Sequence, residues 1–157
     1  KAQKDGDLIF LDFPKDKPEV LEQRFSETLF GYAPDTVMRG TDDYLFIFDK
    51  EEKIKSINAN YEEISKLDSR GAIASSKDSE GNIVSRCFYP KYGVNEDPVT
   101  GSAHTLIIPY WSDVLGRNKI KARQLSERGG ELFCEVSNDR IKIGGHTSLF
   151  FDGQIEI

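Results

Sequence analysis

The 157-residue chain predicts an α+β domain in which a mixed or antiparallel sheet curls around one central buried helix. Three observations carry that expectation. Short runs rich in β-branched and aromatic residues recur along the chain, bounded by Gly, Pro, Asn and Asp. Two stretches have the spacing of amphipathic helices. A third, Leu106-Ile107-Ile108-Pro109-Tyr110-Trp111 with Ala103, Val114 and Leu115, is apolar around most of a helix circumference, the mark of a helix enclosed by protein.

Leu8-Ile9-Phe10-Leu11-Asp12-Phe13 reads as a strand ended by Pro14, and Lys4-Asp5-Gly6-Asp7 as the turn of a hairpin whose first arm is mostly missing. Pro18 stands where a first helical residue is favoured. Val20, Leu21, Phe25, Thr28 and Leu29 then share a face and Gly31 can close the turn, so a helix is expected over 18–30. Tyr44-Leu45-Phe46-Ile47-Phe48 is too short for a helix and predicts a central strand, followed by a charged turn at 49–53. Asn60 and Glu63 form a capping-box pattern for a short helix with Tyr61, Ile64 and Leu67 on one face. Gly71-Ala72-Ile73-Ala74 and Ile83-Val84-Ser85-Arg86-Cys87-Phe88 read as strands around a Ser79-Glu80-Gly81-Asn82 turn. The enclosed helix follows, with Pro109 expected to kink it and Gly116 to stop it. Lys119, Lys121 and Arg123 alternate with Ile120, Ala122 and Gln124, the period of a half-buried strand with a solvated basic face. Residues 131–136 and 140–143 flank Ser137-Asn138-Asp139 as a hairpin, and Leu149-Phe150-Phe151 with Ile155 suggests a last strand pair. The chain shows no internal repeat or low-complexity segment.

A formal charge of -6 argues against a nucleic-acid backbone or an anionic membrane as the general partner. No apolar run is long enough to span a bilayer and the first residues are not a signal peptide, so a cytoplasmic protein is expected. Cys87 and Cys134 form no CxxC pair, no histidine stands at metal-ligand spacing, and both cysteines read as small buried hydrophobes. No metal is expected. The chain begins with Lys1 inside what reads as β-structure, which suggests a piece of a longer polypeptide.

The chemistry is expected at Asn95-Glu96-Asp97-Pro98-Val99-Thr100-Gly101-Ser102-Ala103-His104, a loop that opens onto the enclosed helix. The first turn of a helix has amide groups without intrahelical partners, and the helix dipole adds positive potential there, so an anion can dock. Gly101 admits close approach to the backbone, and the Thr100 and Ser102 hydroxyls can cap the helix or bond a carboxylate. An isolated Thr-Gly-Ser is equally an ordinary capped helix start; the enclosed helix behind it favours a mouth. Asp97 suits accepting a hydrogen bond or orienting an amine, with an Asx cap as the plain alternative. His104 could titrate near neutral pH or be a satisfied core group. His146 reads as structural, and Arg128, beside Gly129-Gly130, either places a guanidinium at a tight turn facing the cleft or braces its hairpin, the brace being favoured.

Asp12-Phe13-Pro14, Ser85-Arg86-x-Phe88-x-Pro90, the block from Glu96 to His104, Pro109-Tyr110-Trp111 and Arg123-Gln124-x-Ser126-x-Arg128-Gly129-Gly130 together resemble the phenazine biosynthesis-like (PhzF-like) isomerase family. The resemblance implies a diaminopimelate-epimerase-like fold of two similar halves with the active site between them. It makes residues 1–16 the end of a mostly absent first half and 17–157 the second. It implies a cofactor-independent, commonly homodimeric enzyme that moves a proton on a small carboxylated metabolite, the best-known reaction being isomerisation of a dihydro-hydroxyanthranilate. By motif position Asp97 and Ser102 are the implied catalytic residues, and Gly101, Thr100 and His104 the implied substrate-binding ones. The family's proton-carrying glutamate and an active-site histidine belong to the absent N-terminal half, so this chain alone is expected to be inactive. A stand-alone binding or dimerisation module is the alternative. An amino-acid epimerase is disfavoured, since Ser102 stands where a cysteine is expected.

Overall fold

The computed structural model describes residues 1–23 and 25–154. Eleven strands form one mixed sheet, and the fold class is α+β as expected. In chain order they are β1 Ala2–Asp5, β2 Leu8–Pro14, β3 Glu19–Val20, β4 Thr36–Arg39, β5 Asp43–Ile47, β6 Gly71–Lys77, β7 Ile83–Tyr89, β8 Val94–Asp97, β9 Lys119–Gln124, β10 Gly130–Ser137 and β11 Arg140–His146. The order across the sheet is β1-β2-β11-β10-β9-β7-β6-β5-β4-β3, with β8 beside β7. β5–β6 and β7–β9 are parallel and the other pairs antiparallel. Among the described residues three α-helices accompany the sheet: α1 Glu51–Lys55, α2 Tyr61–Ser65 and α3 His104–Leu115.

Alternation along the strands divides the apolar residues between two cores. Ile73 points to one face, into a cluster with Leu106, Ile107, Ile108 and Trp111 of α3, while Ala72 and Ala74 point to the other, among Phe30, Phe46, Phe88, Ile54 and Ile64. The cluster on the α3 side draws on strands from Phe13 of β2 to Met38 of β4. Eight strands laid flat would span roughly 34 Å at about 4.8 Å each, several times the ~10 Å width of a helix, so the sheet must wrap α3 to bring both ends to it.

The segment after β2 straps the wrap shut. Lys15 N–H donates to the Asp139 carbonyl (2.9 Å) at the β10–β11 turn, and Asp16 N–H to the Thr105 carbonyl of α3 (2.9 Å). The Asp16 carboxylate accepts from the Thr41 amide and hydroxyl, both at 2.9 Å, at the β4–β5 turn. Thr105 is the residue whose carbonyl Pro109, lacking an N–H, cannot bind, so the proline frees the acceptor that the strap uses. A Cβ on Gly40 would lie 2.6 Å from Asp16 Oδ2 and 2.7 Å from Leu106, which is why that turn carries glycine.

Several expectations are corrected. Residues 18–30 contain β3 and a 3-10 turn, Glu27–Leu29, in place of a helix; Leu21, Phe25 and Leu29 still reach the second core, so the apolar spacing is met by an extended path. The turn at 49–53 extends into α1. The first hairpin arm is present as β1, in register with β2 from Ala2↔Leu11 to Asp5↔Leu8. Val114 is exposed. The basic face of β9 is open to solvent as expected, and its cations are also paired, Lys121 with Glu131 (2.7 Å) and Arg123 with Asp78 (3.0 Å). Leu149, Phe150 and Phe151 are exposed and form no strand, and Ile155 lies outside the described residues. Among the described residues no helix is long and apolar enough to cross a membrane.

Candidate active site

β8 ends at Asp97, and the chain then turns through Thr100 and Gly101 into α3. Each step of that turn is fixed from outside. Arg86 of β7 grips Glu96 with two bonds of 2.7 Å and donates to the Ile57 carbonyl (3.0 Å) behind it. Gln124, enclosed at the end of β9, accepts from the Thr100 amide (2.8 Å) and donates to the Asp97 carbonyl (2.6 Å) and the Thr100 hydroxyl (3.3 Å). Ser126 donates to the Pro98 carbonyl (2.7 Å) and accepts from the Gly129 amide (3.0 Å). A Cβ on Gly130 would lie 2.3 Å from Val99, so β10 packs directly against the loop. The alternation of β9 places Gln124 in the buried row with Ile120 and Ala122, as its sequence pattern predicts, but gives no hint that its side chain holds the motif loop; Ser126 carries no such signal.

The α-helix begins at His104, two residues later than Ser102, after a tight prelude. His104, Thr105 and Leu106 donate to the carbonyls of Gly101, Ser102 and Ala103 at 3.0–3.1 Å, each three residues back. Among the described residues the amides of Gly101, Ser102 and Ala103 find no hydrogen-bond acceptor, and no side chain caps the helix. Gly101 and Ser102 are exposed, and the Ser102 hydroxyl is unbonded. Asp97 is half-buried beside this turn, with Oδ2 accepting from the Thr100 hydroxyl. Thr100 is buried. His104 is fully enclosed, its Nδ1 bonded to the Thr100 carbonyl (2.7 Å) and its Nε2 without a partner. Burial pushes the His104 imidazole down to about 4, outweighing that hydrogen bond, so the ring is neutral near pH 7.

A cleft of about 750 Å³ opens beside the mouth, walled by Ile9, Leu11, Val99, Leu132 and Ile143 and floored by Gly101, Gly129 and Gly130. Of the five sequence-predicted residues Gly101 alone lines it; Ser102 stands next to it, and Asp97, Thr100 and His104 lie at or beneath the turn. Arg128 and His146 also line the cleft. Arg128 is exposed and, among the described residues, makes no hydrogen bond, ion pair or aromatic contact, so it braces nothing. Glu131, the carboxylate in the wall, is held by Lys121. Burial raises both thiols, Cys134 to about 12, so neither is a nucleophile at neutral pH. No group of three His, Cys, Asp or Glu among the described residues could hold a metal.

In sequence and fold the chain resembles known proteins. The family described as phenazine biosynthesis-like protein matches residues 14–153, nearly the whole chain. The chain belongs to the phenazine biosynthesis-like family. A protein of Halalkalibacterium halodurans named an uncharacterized isomerase is 41% identical over 150 residues, covering 93% of this chain and 57% of its own length. A crystal structure of a PhzF family protein from Enterococcus faecalis superposes with a TM-score of 0.89 at 35% identity, covering 99% of this chain and 60% of that one. The chain therefore spans somewhat under two thirds of the phenazine biosynthesis-like relatives it matches. A structure described as a probable proline racemase from Agrobacterium radiobacter, 10% identical with a TM-score of 0.61, is matched over 99% of this chain and 56% of its own, and shares the fold alone.

Proposed function

We propose that this chain is the C-terminal half of a phenazine biosynthesis-like isomerase that moves a proton on a small carboxylated metabolite without a cofactor. The observation that carries the reading is the mouth of α3, where three consecutive amides without acceptors stand beside the free Ser102 hydroxyl. Donors aimed at a site before substrate arrives stabilise negative charge as it develops on a carboxylate or enolate oxygen, because no reorganisation is needed during the reaction. Arg128 adds a cation to a cleft whose walls are mainly apolar, suited to the substrate's carboxylate, and Asp97 is near enough to the turn to orient an amine or hydroxyl. The walls accept a planar apolar ring or short chain.

Glu131 is tied to Lys121 and His104 is enclosed, so neither is a free acid or base; His146 lines the cleft and stands edge-on to Phe133, and the proton-carrying glutamate is assigned to the first half. The expected homodimer belongs to the same reading.

The test is made in the longer protein with its substrate. Ser102→Ala is expected to lower kcat by roughly 10²-fold, the usual cost of one oxyanion donor, with KM little changed. Asp97→Asn should lower kcat/KM. Unchanged activity in both variants would overturn the site assignment, whereas a longer protein that binds a carboxylated metabolite and turns none over would favour a binding or dimerisation module.

A further inference from the structure

In a regular α-helix the Thr100 carbonyl would accept the His104 amide, four residues on. That amide instead closes the tighter prelude turn on Gly101 O at 3.0 Å, leaving the Thr100 carbonyl for the His104 ring, which binds it through Nδ1 at 2.7 Å. A carbonyl only accepts, so Nδ1 carries the proton and Nε2 a bare lone pair, in keeping with the absence of a partner for Nε2. The Thr100–Gly101 peptide is trans, so its C=O and N–H point in opposite directions. With the carbonyl drawn inward to an enclosed histidine, the Gly101 N–H faces outward, where Gly101 lines the cleft. Gly101 has no Cβ to resist a peptide flip, and a flipped unit would put a carbonyl where the donor stands.

We infer that His104 is a positioning residue: its Nδ1–H, bonded to the Thr100 carbonyl, holds the Gly101 amide as a hydrogen-bond donor aimed into the anion-binding cleft. It does so without touching the ligand. This deepens the proposed function, since it rests on the reading of the cleft as a site for a carboxylate. Neutrality suits the role: a doubly protonated ring would put an uncompensated charge in an enclosed site. Gln124 performs the matching task one peptide earlier, by taking the Thr100 N–H.

The test uses the intact protein and benzoate as the probe carboxylate. Long-range ¹⁵N–¹H correlation at neutral pH reads the His104 tautomer directly and is expected to show a protonated Nδ1. Titration with benzoate is expected to shift the Gly101, Ser102 and Ala103 amides. In His104→Phe, which keeps a ring but loses the donor, affinity should fall at least ~10-fold, the worth of a hydrogen bond to a charged group. His104→Asn, which restores a donor, should recover most of it. A protonated Nε2, or His104→Phe binding benzoate as tightly as the parent, overturns the inference while the cleft reading stands. Benzoate that leaves all three amides unmoved in the parent overturns the cleft reading, and the inference with it. Should His104→Phe fail to fold, the tautomer in the unsubstituted protein decides.

Discussion

Gln124 and His104 are both fully enclosed polar residues, and each spends its hydrogen bonds on the backbone of a loop that ends at the surface. Enclosure is what gives them leverage: a buried donor or acceptor left unpaired costs ~1–3 kcal/mol, so the loop conformation that satisfies them is strongly preferred over those that do not. For His104 the same burial makes stability depend on pH. Folded, its imidazole is pushed down to about 4, against 6.5 for an ordinary histidine. Between those values the unfolded chain binds more protons, so stability rises with pH across the window. The contribution is fully present above pH 6.5 and is lost as pH falls toward 4, amounting to ~3 kcal/mol. Urea midpoints measured from pH 4 to 8 should show this slope in the parent protein. In His104→Phe the slope should flatten, and an identical slope in both proteins would refute the assignment.

At the scale of elements, the site depends on β10 as much as on α3. Gly130, paired with Gln124 in the β9–β10 ladder, lies flat against Val99, so the strand and the loop behave as one packed unit. Valine is stiff at χ1 and cannot swing far to admit a methyl group. Gly130→Ala is therefore expected to destabilise by about 1–3 kcal/mol, seen as a lower denaturation midpoint, and to displace residues 98–101 enough to weaken carboxylate binding. Unchanged binding would mean that the loop is held by Gln124 and Ser126 alone. β8 is similarly secured from behind, through Arg86 and Glu96, whose side chains are largely buried. Pro109 does not end α3: the helix runs on to Leu115, because the carbonyl the proline leaves open is bound by Asp16.

For the whole molecule the decisive contact is the strap of residues 15–18. Asp16 joins three distant places, the β4–β5 turn, α3 and its own strand β2, and it closes a wrapped sheet whose remaining edges are the short strands β1 and β3. Asp16→Ala removes two side-chain bonds to Thr41. The expected result is a loss of about 1–3 kcal/mol and faster amide hydrogen exchange at Thr41 and along β4, with β9–β11 unaffected. Equal exchange in parent and variant would show that the wrap is held by the core alone. The cleft lies on the same side as this sheet's β2–β11–β10 end, with Ile9, Leu11, Leu132 and Ile143 in its wall, so strands far apart in sequence set its shape.

Read alone, the amino-acid order determined the fold class, the enclosed helix, most of the strands, the motif loop and the family resemblance. These are local matters: a period of two, an apolar helix circumference, turn residues at fixed spacing, a long specific block. β4 was missed although Thr36-Val37-Met38 is strand-like between Pro34 and Gly40, and β8 because Val94-Asn95-Glu96-Asp97 has no alternation and is strand only by pairing with β7. The tertiary structure alone decided three things. Glu19 and Val20 became a short edge strand because pairing with β4 offered ladder bonds that a helix pattern cannot reveal. Between the two readings of Arg128, cleft cation and hairpin brace, its place in the cleft lining decided for the cleft. The Gly101 amide was aimed outward by the His104 ring, four residues after its neighbour Thr100, and by the Gln124 side chain, twenty-four residues after Thr100 at the end of β9. The deciding term is where the wrapped sheet sets one segment against another, as β3 against β4 and β9 against the motif loop, and local residue patterns do not carry that placement.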